Sequence, residues 1–345
     1  MSSLHSRRDL LKTSASVATG FALSPFVNLA RAADSDEPRK KVLFFTKSSG
    51  FQHSVITRSA ENPTKLAYAE QILTDLGAKN GFDVTCSKDG TIFASPETFA
   101  RYDVFAFYTT GDLTTDSDKY AKTKGPDGKD VEDKSKLLWK EPAMPKEAKQ
   151  AFLDAIKSGK GFVGFHCASD TFHSPGFEHG HVNFLRDVDD KGEDRFDPYI
   201  KMIGGEFIIH GKQQKATLKT IDTKFPGATA FDNQSIHEEW YSLKNFSTDL
   251  HVILAQDCTG MEGAMYQRPL YPQTWARMHG EGRVFFTSLG HREDIWQRPD
   301  FVNLTIAALN WTSRRVDADI PPNISQATPE ANPMTNPPPD PPKKK

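Results

Sequence analysis

The chain has 345 residues, of which 37% are hydrophobic and 26% are charged, and its formal net charge is −2. This composition excludes a disordered, fibrous or collagen-like protein, and it supplies enough apolar material for one large or two small domains. The near-neutral charge indicates neither nucleic acid nor an anionic membrane as a partner.

Residues 1–32 have the pattern of a twin-arginine signal peptide. Arg7 and Arg8 precede a short apolar stretch, and Ala30-Arg31-Ala32 forms a small-residue cleavage site. We therefore expect the twin-arginine export machinery as a partner and a periplasmic or secreted mature protein. The alternative is a buried N-terminal helix. The stretch is shorter than the ~20 apolar residues of a spanning helix, so no stable membrane span is expected in the mature form.

The C-terminal residues 317–345 are expected to be a disordered, proline-rich tail. Nine of the 22 prolines lie in residues 321–345, a stretch without any aromatic residue. The folded domain is accordingly predicted over residues 40–316.

The first half of this domain alternates strand and helix patterns. Continuous apolar runs predict buried strands at 41–46, 82–86, 102–108 and 161–166. Asn62-Pro63 predicts a helix start that continues to about residue 79, and Pro145 and Gly159 bracket a second long helix. Residues 119–140 are polar and are predicted to be an insertion loop. This alternation predicts an α/β fold with a doubly wound, mostly parallel sheet.

The second half is less regular. Strands are predicted at 214–221, 250–255, 274–278 and 283–288, and a final helix at 299–312. Trp311 lies on the apolar face of that helix, so it is interpreted as a core residue.

Three histidines follow predicted strands at positions where open α/β sheets bind ligands. His53 follows the first strand, His166 follows the strand at 161–166, and His291 follows the last strand. Parallel strands end at one edge of the sheet, so these three side chains are predicted to converge. Histidine titrates near neutral pH and binds metals, and a divalent metal is one hypothesis for the cofactor. The alternative is that each is a hydrogen-bonded structural histidine.

Cys167 is a candidate nucleophile, but its flanking residues do not favour that role. A nucleophile elbow needs small residues two positions before and two after its apex. Phe165 occupies the first of these positions for Cys167, whereas Gly164 and Ala168 flank His166. An elbow would therefore place the histidine at its apex.

A second cluster joins carboxylates to aromatic rings. Glu238 and Glu239 precede Trp240 and Tyr241, which suits a general base or metal ligand beside a sugar-stacking surface. The alternative is a solvated acidic turn with a buried tryptophan. Arg292 is expected either to pair with a neighbouring carboxylate or to bind an anionic or hydroxylated ligand.

Five segments, in this order, resemble the trehalose-utilisation (ThuA-like) family: GFQHS (50–54), GFVGFHCASD (161–170), IGGEF (203–207), EEWY (238–241) and GRVFFTSLGH (282–291). The resemblance implies a class I glutamine amidotransferase-like, flavodoxin-like α/β fold without the amidotransferase cysteine. It also implies carbohydrate metabolism, with trehalose-like disaccharides or keto-sugars as small-molecule partners. The insertions at 119–140 and 176–197 depart from the family pattern.

The resemblance points to His53, His166, Glu239 and His291 as catalytic candidates. Asp170, Trp240, Tyr241 and Arg292 are the candidates for substrate binding, and His210 joins the three histidines as a candidate metal ligand. The leading hypothesis is an exported carbohydrate-active enzyme, for example a hydrolase or lyase, or an accessory to one, that acts on or binds these sugars. The alternatives are a noncatalytic sugar-binding or scaffold protein and a Cys167-dependent amidohydrolase.

Overall fold

The site-bearing half of the molecule is built on strands whose side chains are buried on both faces. The computed structural model describes residues 38–339, so the predicted signal at 1–32 lies outside the described residues. In chain order the strands are β1 Lys40–Phe45, β2 Phe82–Ser87, β3 Val104–Phe107, β4 Lys119–Lys124, β5 Asp130–Trp139, β6 Gly161–Phe165, β7 Glu206–His210, β8 Gln214–Thr220, β9 Ser235–Glu238, β10 Tyr241–Lys244, β11 His251–Asp257, β12 Tyr271–His279 and β13 Gly282–Thr287.

Nine of these strands form one sheet in the order β2-β1-β3-β6-β13-β12-β11-β8-β9. The strands from β2 to β13 pair in parallel, and those from β13 to β9 pair antiparallel. β7 pairs with β10, and β4 pairs with β5, as two separate ribbons. The α/β class predicted from the alternation is therefore confirmed, with an antiparallel extension that the sequence pattern did not specify.

Helices cover both faces of the parallel part. They are α1 Tyr68–Lys79, α2 Pro96–Arg101, α3 Lys146–Lys157, α4 Pro198–Ile203, α5 Glu293–Trp296, α6 Pro299–Thr312 and α7 Ile324–Ala327. α1, α5 and α6 pack together, while α3 packs with α4. α3 shows why such helices form: Ala148, Phe152 and Ile156 recur every four residues and are all buried. Trp311 is buried in α6, as its spacing predicted.

One predicted helix start and one predicted loop are wrong. α1 begins after Ala67 rather than at Asn62, because the Glu70 carboxylate accepts a hydrogen bond from the Ala67 backbone amide at 2.8 Å. Asn62 instead closes a turn by accepting from the Lys65 amide. The polar segment at 119–140 is not a loop but carries the β4–β5 hairpin. Backbone pairing stabilises this hairpin although most of its side chains are exposed.

The C-terminal tail differs from the disorder expected for residues 317–345. Residues 317–339 pack on the body of the molecule. Ile324 and Ala331 are buried, and Asn323 and Asn332 exchange hydrogen bonds with the backbone of Val252 and Phe246. The asparagine amides supply the paired donor and acceptor that a neighbouring strand would otherwise provide. The high proline content therefore does not prevent residues 317–339 from packing on the rest of the domain. Within residues 38–339, no helix is both long enough and apolar enough to cross a membrane.

Candidate metal centre

Four side chains from distant segments converge at the carboxyl edge of the parallel strands. His53 lies beyond β1, His166 directly follows β6, His291 lies beyond β13, and Glu239 lies between β9 and β10. One ligand atom from each lies within 4.8 Å of those of the other three. The ring centroids of the three histidines are 5.0–5.2 Å apart. The structure thus brings together all four residues that the sequence singled out as catalytic candidates.

The Glu239 carboxylate is the centre of this cluster. Its Oε2 atom lies 3.5 Å from Nε2 of His166, 3.5 Å from Nε2 of His291 and 4.0 Å from Nε2 of His53. Tetrahedral ligands at about 2.0–2.1 Å from a zinc ion lie about 3.3 Å from one another. The observed separations are close to that value, so the four groups fit one divalent cation after small side-chain movements.

His210 extends the cluster toward solvent. Its Nδ1 atom is 3.3 Å from Oε1 of Glu239, and its side chain is 43% exposed. Because it faces the other carboxylate oxygen, His210 lies beside the four-residue group rather than within it. His210, which the sequence also suggested as a metal ligand, therefore lies at the outer edge of the centre.

The backbone of His166 adopts an unusual conformation that aims its ring. Its φ angle is 41°, in the left-handed region, where histidine is tolerated better than most residues. The flanking Gly164 has no room for a larger side chain, since an added Cβ would lie 3.0 Å from the Phe286 ring. The elbow geometry expected from the flanking small residues is thus present with histidine at the apex.

One nitrogen of His166 is oriented and the other is left without a hydrogen-bond partner. Nδ1 lies 2.8 Å from the Ser288 carbonyl oxygen, so Nδ1 carries the proton and donates it. Nε2 then presents a lone pair toward Glu239, yet it is buried and makes no hydrogen bond. A buried polar atom without a partner is rare. A lone pair facing a carboxylate oxygen requires a cation or a proton between them.

The other two histidines have polar neighbours as well. The Tyr241 hydroxyl lies 3.3 Å from Nε2 of His53, whose Nδ1 is buried without a partner. The side-chain amide of Gln213 lies 3.3 Å from Nδ1 of His291, and Oε1 of Glu238 lies 3.9 Å from the same atom. A carboxylate behind a histidine is the usual second support of a metal ligand.

Burial and the neighbouring imidazoles favour the neutral forms of His53 and His291 by lowering their pKa values. Burial, reinforced by His166 and His291, holds the pKa of His53 well below its ordinary value. Burial and the neighbouring His166 lower the pKa of His291 to about 4. Burial alone would raise the pKa of Glu239, but interaction with His166 and His291 outweighs burial and lowers it. Neutral imidazoles beside an ionised carboxylate are the protonation states that bind metals.

Glu238 has the opposite tendency. Burial raises the pKa of its carboxyl to about 7, although the backbone amides of Glu239 and Gly290 donate to it. Two adjacent carboxylates in the chain therefore have different environments. Glu239 faces the histidines, whereas Glu238 lies behind them in the interior.

The residues predicted to form a sugar-stacking wall are buried. Trp240 is fully inaccessible and its indole nitrogen donates to the Gln214 carbonyl oxygen, so it belongs to the core. Tyr241 is only 2% exposed, and its ring lies 4.1 Å from that of His166. The expectation of a solvent-facing wall is wrong for this pair, because both side chains are buried. Tyr241 packs beneath the cluster instead.

The remaining predicted substrate residues pair with neighbours. Asp170 accepts from Nε2 of His173 at 2.7 Å, and the other nitrogen of His173 lies 3.1 Å from the buried Glu206. Burial disfavours the charged imidazole, but these two carboxylates outweigh it and raise the pKa of His173. Arg292 pairs with Asp294 and donates to Gln213. One of the two expectations for Arg292, local pairing, is thus observed.

The structure gives no support to Cys167 as a nucleophile. The side chain is completely buried, and burial raises the pKa of its thiol well above the ordinary value. A reactive cysteine needs an accessible thiolate. The three cysteines are all free thiols.

Sequence reasoning missed Gln213, Glu206 and His173. Gln213 lies in a short polar turn between β7 and β8 that no local pattern distinguishes from a surface turn. Glu206 was visible only as part of the IGGEF segment. Its role depends on Ser174 and Asn245, which donate to it from remote parts of the chain.

The fold and the cluster define an α/β protein with a histidine-rich centre at the carboxyl edge of its sheet. A family model described as "Trehalose utilisation" matches residues 135–312, just over half of the chain. The chain belongs to this family, ThuA. No curated protein matches the chain.

Solved structures also show similarity. A putative ThuA-like protein from Parabacteroides merdae is 16% identical, with a TM-score of 0.48, over 83% of this chain and 95% of that chain. A cytoplasmic protein from Salmonella typhimurium is 12% identical, with a TM-score of 0.41, over 79% and 98%. A β-galactosidase from Rahnella sp. is 11% identical, with a TM-score of 0.38, over 79% of this chain and 31% of that chain. At these scores none supports an argument about function.

Proposed function

We propose that this ThuA-family chain is an exported metalloprotein that acts on trehalose-like disaccharides or keto-sugars. In this proposal His53, His166, His291 and Glu239 hold one divalent cation. The membership of the family supports the substrate class, and the paired arginines at the N-terminus support export by the twin-arginine route. The strand order β2-β1-β3-β6-β13 supports the finer proposal of a flavodoxin-like, glutamine amidotransferase-like fold.

The observation that carries the proposal is the unpartnered Nε2 atom of His166. Its tautomer is set by the Ser288 carbonyl, and its lone pair faces Glu239 in the interior. Three imidazoles and one carboxylate form a ligand set that suits Zn²⁺.

A bound divalent cation would act as a Lewis acid toward a sugar hydroxyl or keto oxygen. The protein's own groups would then position the substrate and carry protons. His210 is the cluster member most accessible to solvent, and it contacts Glu239 directly. It is therefore placed to exchange a proton between the centre and the surrounding water.

A second candidate function is a noncatalytic, sugar-binding or scaffold protein with a structural metal. Structural zinc sites use four protein ligands, whereas catalytic ones keep a position open for water or substrate. Here four protein groups are available, and the most exposed of the four, His291, has a side-chain exposure of only 15%. This closed arrangement favours the structural alternative.

Metal analysis of untagged protein, prepared with its signal intact and without chelators, tests the shared part of both candidates. We expect about one divalent ion per chain, lost in His166→Gln and Glu239→Gln but retained in the matched control His181→Gln, whose side chain is 72% exposed. Metal-free wild-type protein that takes up no divalent ion would contradict the proposal.

Turnover separates the two candidates. The enzyme hypothesis expects products from trehalose or 3-keto-disaccharides that disappear on metal removal and return on adding the metal back. The structural hypothesis expects no turnover and a lower melting temperature on metal removal. Export is tested separately by replacing Arg7 and Arg8 with lysine, which should leave the precursor inside the cell.

A further inference from the structure

The loop that carries His53 also presents an aromatic ring to solvent. Phe51 is 69% exposed, and within residues 38–339 it is the only aromatic side chain among the large hydrophobic residues exposed to solvent. A single exposed apolar side chain needs no explanation by itself. The position of Phe51 does need an explanation, because its ring centroid lies 5.1 Å from that of His53, at an interplanar angle of 88°.

The exposure of Phe51 is imposed by a rigid loop. On one side the Ser48 amide donates to the buried Glu141 carboxylate, and the Gly50 amide donates to the Thr110 carbonyl. The Thr110 hydroxyl donates to the carbonyl oxygen of Phe51 itself at 2.9 Å. Gly50 is packed against Thr110 so closely that an added Cβ would lie 3.3 Å from its hydroxyl oxygen. The backbone therefore holds the ring in place rather than letting it fold onto the surface.

Polar groups suited to hydroxyl recognition border the same cluster. Ser54 donates to Glu293, and Gln213 bridges His291 and Arg292. The centre is thus bordered by one aromatic ring, a side-chain amide, a guanidinium group and carboxylates. Small-molecule sites commonly combine aromatic walls with a few fixed polar groups. A pyranose ring, with an apolar C–H face and a rim of hydroxyls, matches that combination.

We infer that Phe51 is the stacking platform for a pyranose ring of the substrate, in place of the buried Trp240 and Tyr241. The ring would lie against the aromatic face while its hydroxyls face the polar groups around His291. This inference rests on the proposed function, because it names the recognition element of the same centre. It assigns specificity for cyclic sugars to a residue that is outside the candidate metal ligands.

Calorimetric titration of full-length protein with trehalose and with methyl α-glucopyranoside tests the inference. Mannitol, an acyclic polyol without an apolar ring face, is the control ligand. We expect Phe51→Ala to bind both pyranosides about 2- to 10-fold more weakly, the range expected for one lost aromatic contact. Phe51→Trp should bind at least as tightly as wild type, and Phe51→Leu should resemble alanine.

The matched control is Val131→Ala, which truncates an exposed apolar side chain on the β4–β5 hairpin. Its affinity should equal that of wild type. Equal affinity of wild type and Phe51→Ala would overturn the platform, as would wild-type protein that binds no pyranoside or binds mannitol equally well. Metal content, measured on the same samples, separates the two proposals. Metal-replete protein that binds no pyranoside overturns only the platform, whereas Phe51-dependent binding without metal overturns only the metal centre.

Discussion

His291 should make the metal-free protein sensitive to acid in a defined pH window. Its folded pKa of about 4 is below the ordinary value of 6.5. The folded protein therefore keeps this imidazole neutral where the unfolded chain protonates it. The resulting stability is fully present above about pH 6.5 and is lost as the pH falls toward 4.

The magnitude follows from the size of the shift. One pKa unit corresponds to about 1.36 kcal/mol. The shift therefore corresponds to roughly 3 kcal/mol in the acid limit, and to about 2 kcal/mol between pH 7 and pH 5. The side chain is 15% exposed, so little of this is screened by solvent. Replacing His291 by asparagine removes the titrating group, and with it this share of the pH dependence.

Urea unfolding of chelator-treated protein at pH 7 and pH 5 measures the effect. We expect wild-type protein to lose about 2 kcal/mol more stability than His291→Asn over this interval. Glu238 contributes with the opposite sign: burial raises its pKa to about 7, so its contribution is present at low pH and is lost as the pH rises. Because both proteins retain Glu238, its contribution cancels in the difference. Identical pH dependences for the two proteins would refute the reasoning.

Further outcomes follow from individual contacts. Glu206→Ala should lower the free energy of unfolding in urea by about 3–5 kcal/mol, because it leaves His173 and several donors without their buried carboxylate; Glu206→Gln, which keeps one acceptor, should lower it less. Asn332→Ala should cost about 1–2 kcal/mol and speed proteolysis of the C-terminal segment, since both of its backbone bonds to Phe246 are lost. Trp240→Phe should melt at a lower temperature without changing pyranoside affinity, because the indole bond to Gln214 is internal. Cys167→Ala should retain any sugar turnover, because its thiol is buried and protonated.

Each of these outcomes has a contrary result. Equal stability of the two Glu206 variants would mean that the carboxylate is not needed as a multiple acceptor. Unchanged proteolysis of Asn332→Ala would mean that the tail is held by other contacts. Weakened pyranoside binding in Trp240→Phe would mean that Trp240 contributes to sugar binding. Loss of turnover in Cys167→Ala would mean that the Cys167 thiol takes part in the reaction.

The sequence predicted the parallel half of the sheet well because the buried residues of each strand follow one another in the chain. β1, β3, β6 and β13 are apolar runs, and burial on both faces requires such runs. Parallel strands end at the same edge of the sheet, so the convergence of His53, His166 and His291 at that edge could be predicted. Strands β8, β11 and β12 of the antiparallel extension were predicted as well, but their antiparallel pairing was not. The short strands β9 and β10 were missed because they depend on partners that are distant in sequence.

The failures within the site have a common physical origin. Trp240 and Tyr241 stand beside two carboxylates, so local sequence suggests an accessible, polar surface. Only the tertiary structure shows that these rings point inward. Phe51, for which the sequence made no prediction, is exposed although it is apolar, because contacts of its loop with Thr110 and Glu141 hold the backbone in place. Exposure of single aromatic side chains is determined by backbone contacts that the sequence does not reveal.

The dispersed origin of the four central side chains has a consequence for biosynthesis. His53 emerges early in translation and His291 follows the last strand of the sheet, so no chain that ends before residue 291 contains the complete ligand set. A metal could be captured at this centre only after β13 has joined β6. Metal binding would therefore require that these strands of the sheet have already assembled. An export route for folded proteins would then allow the metal to bind inside the cell, before the protein is exposed to the metal ions outside.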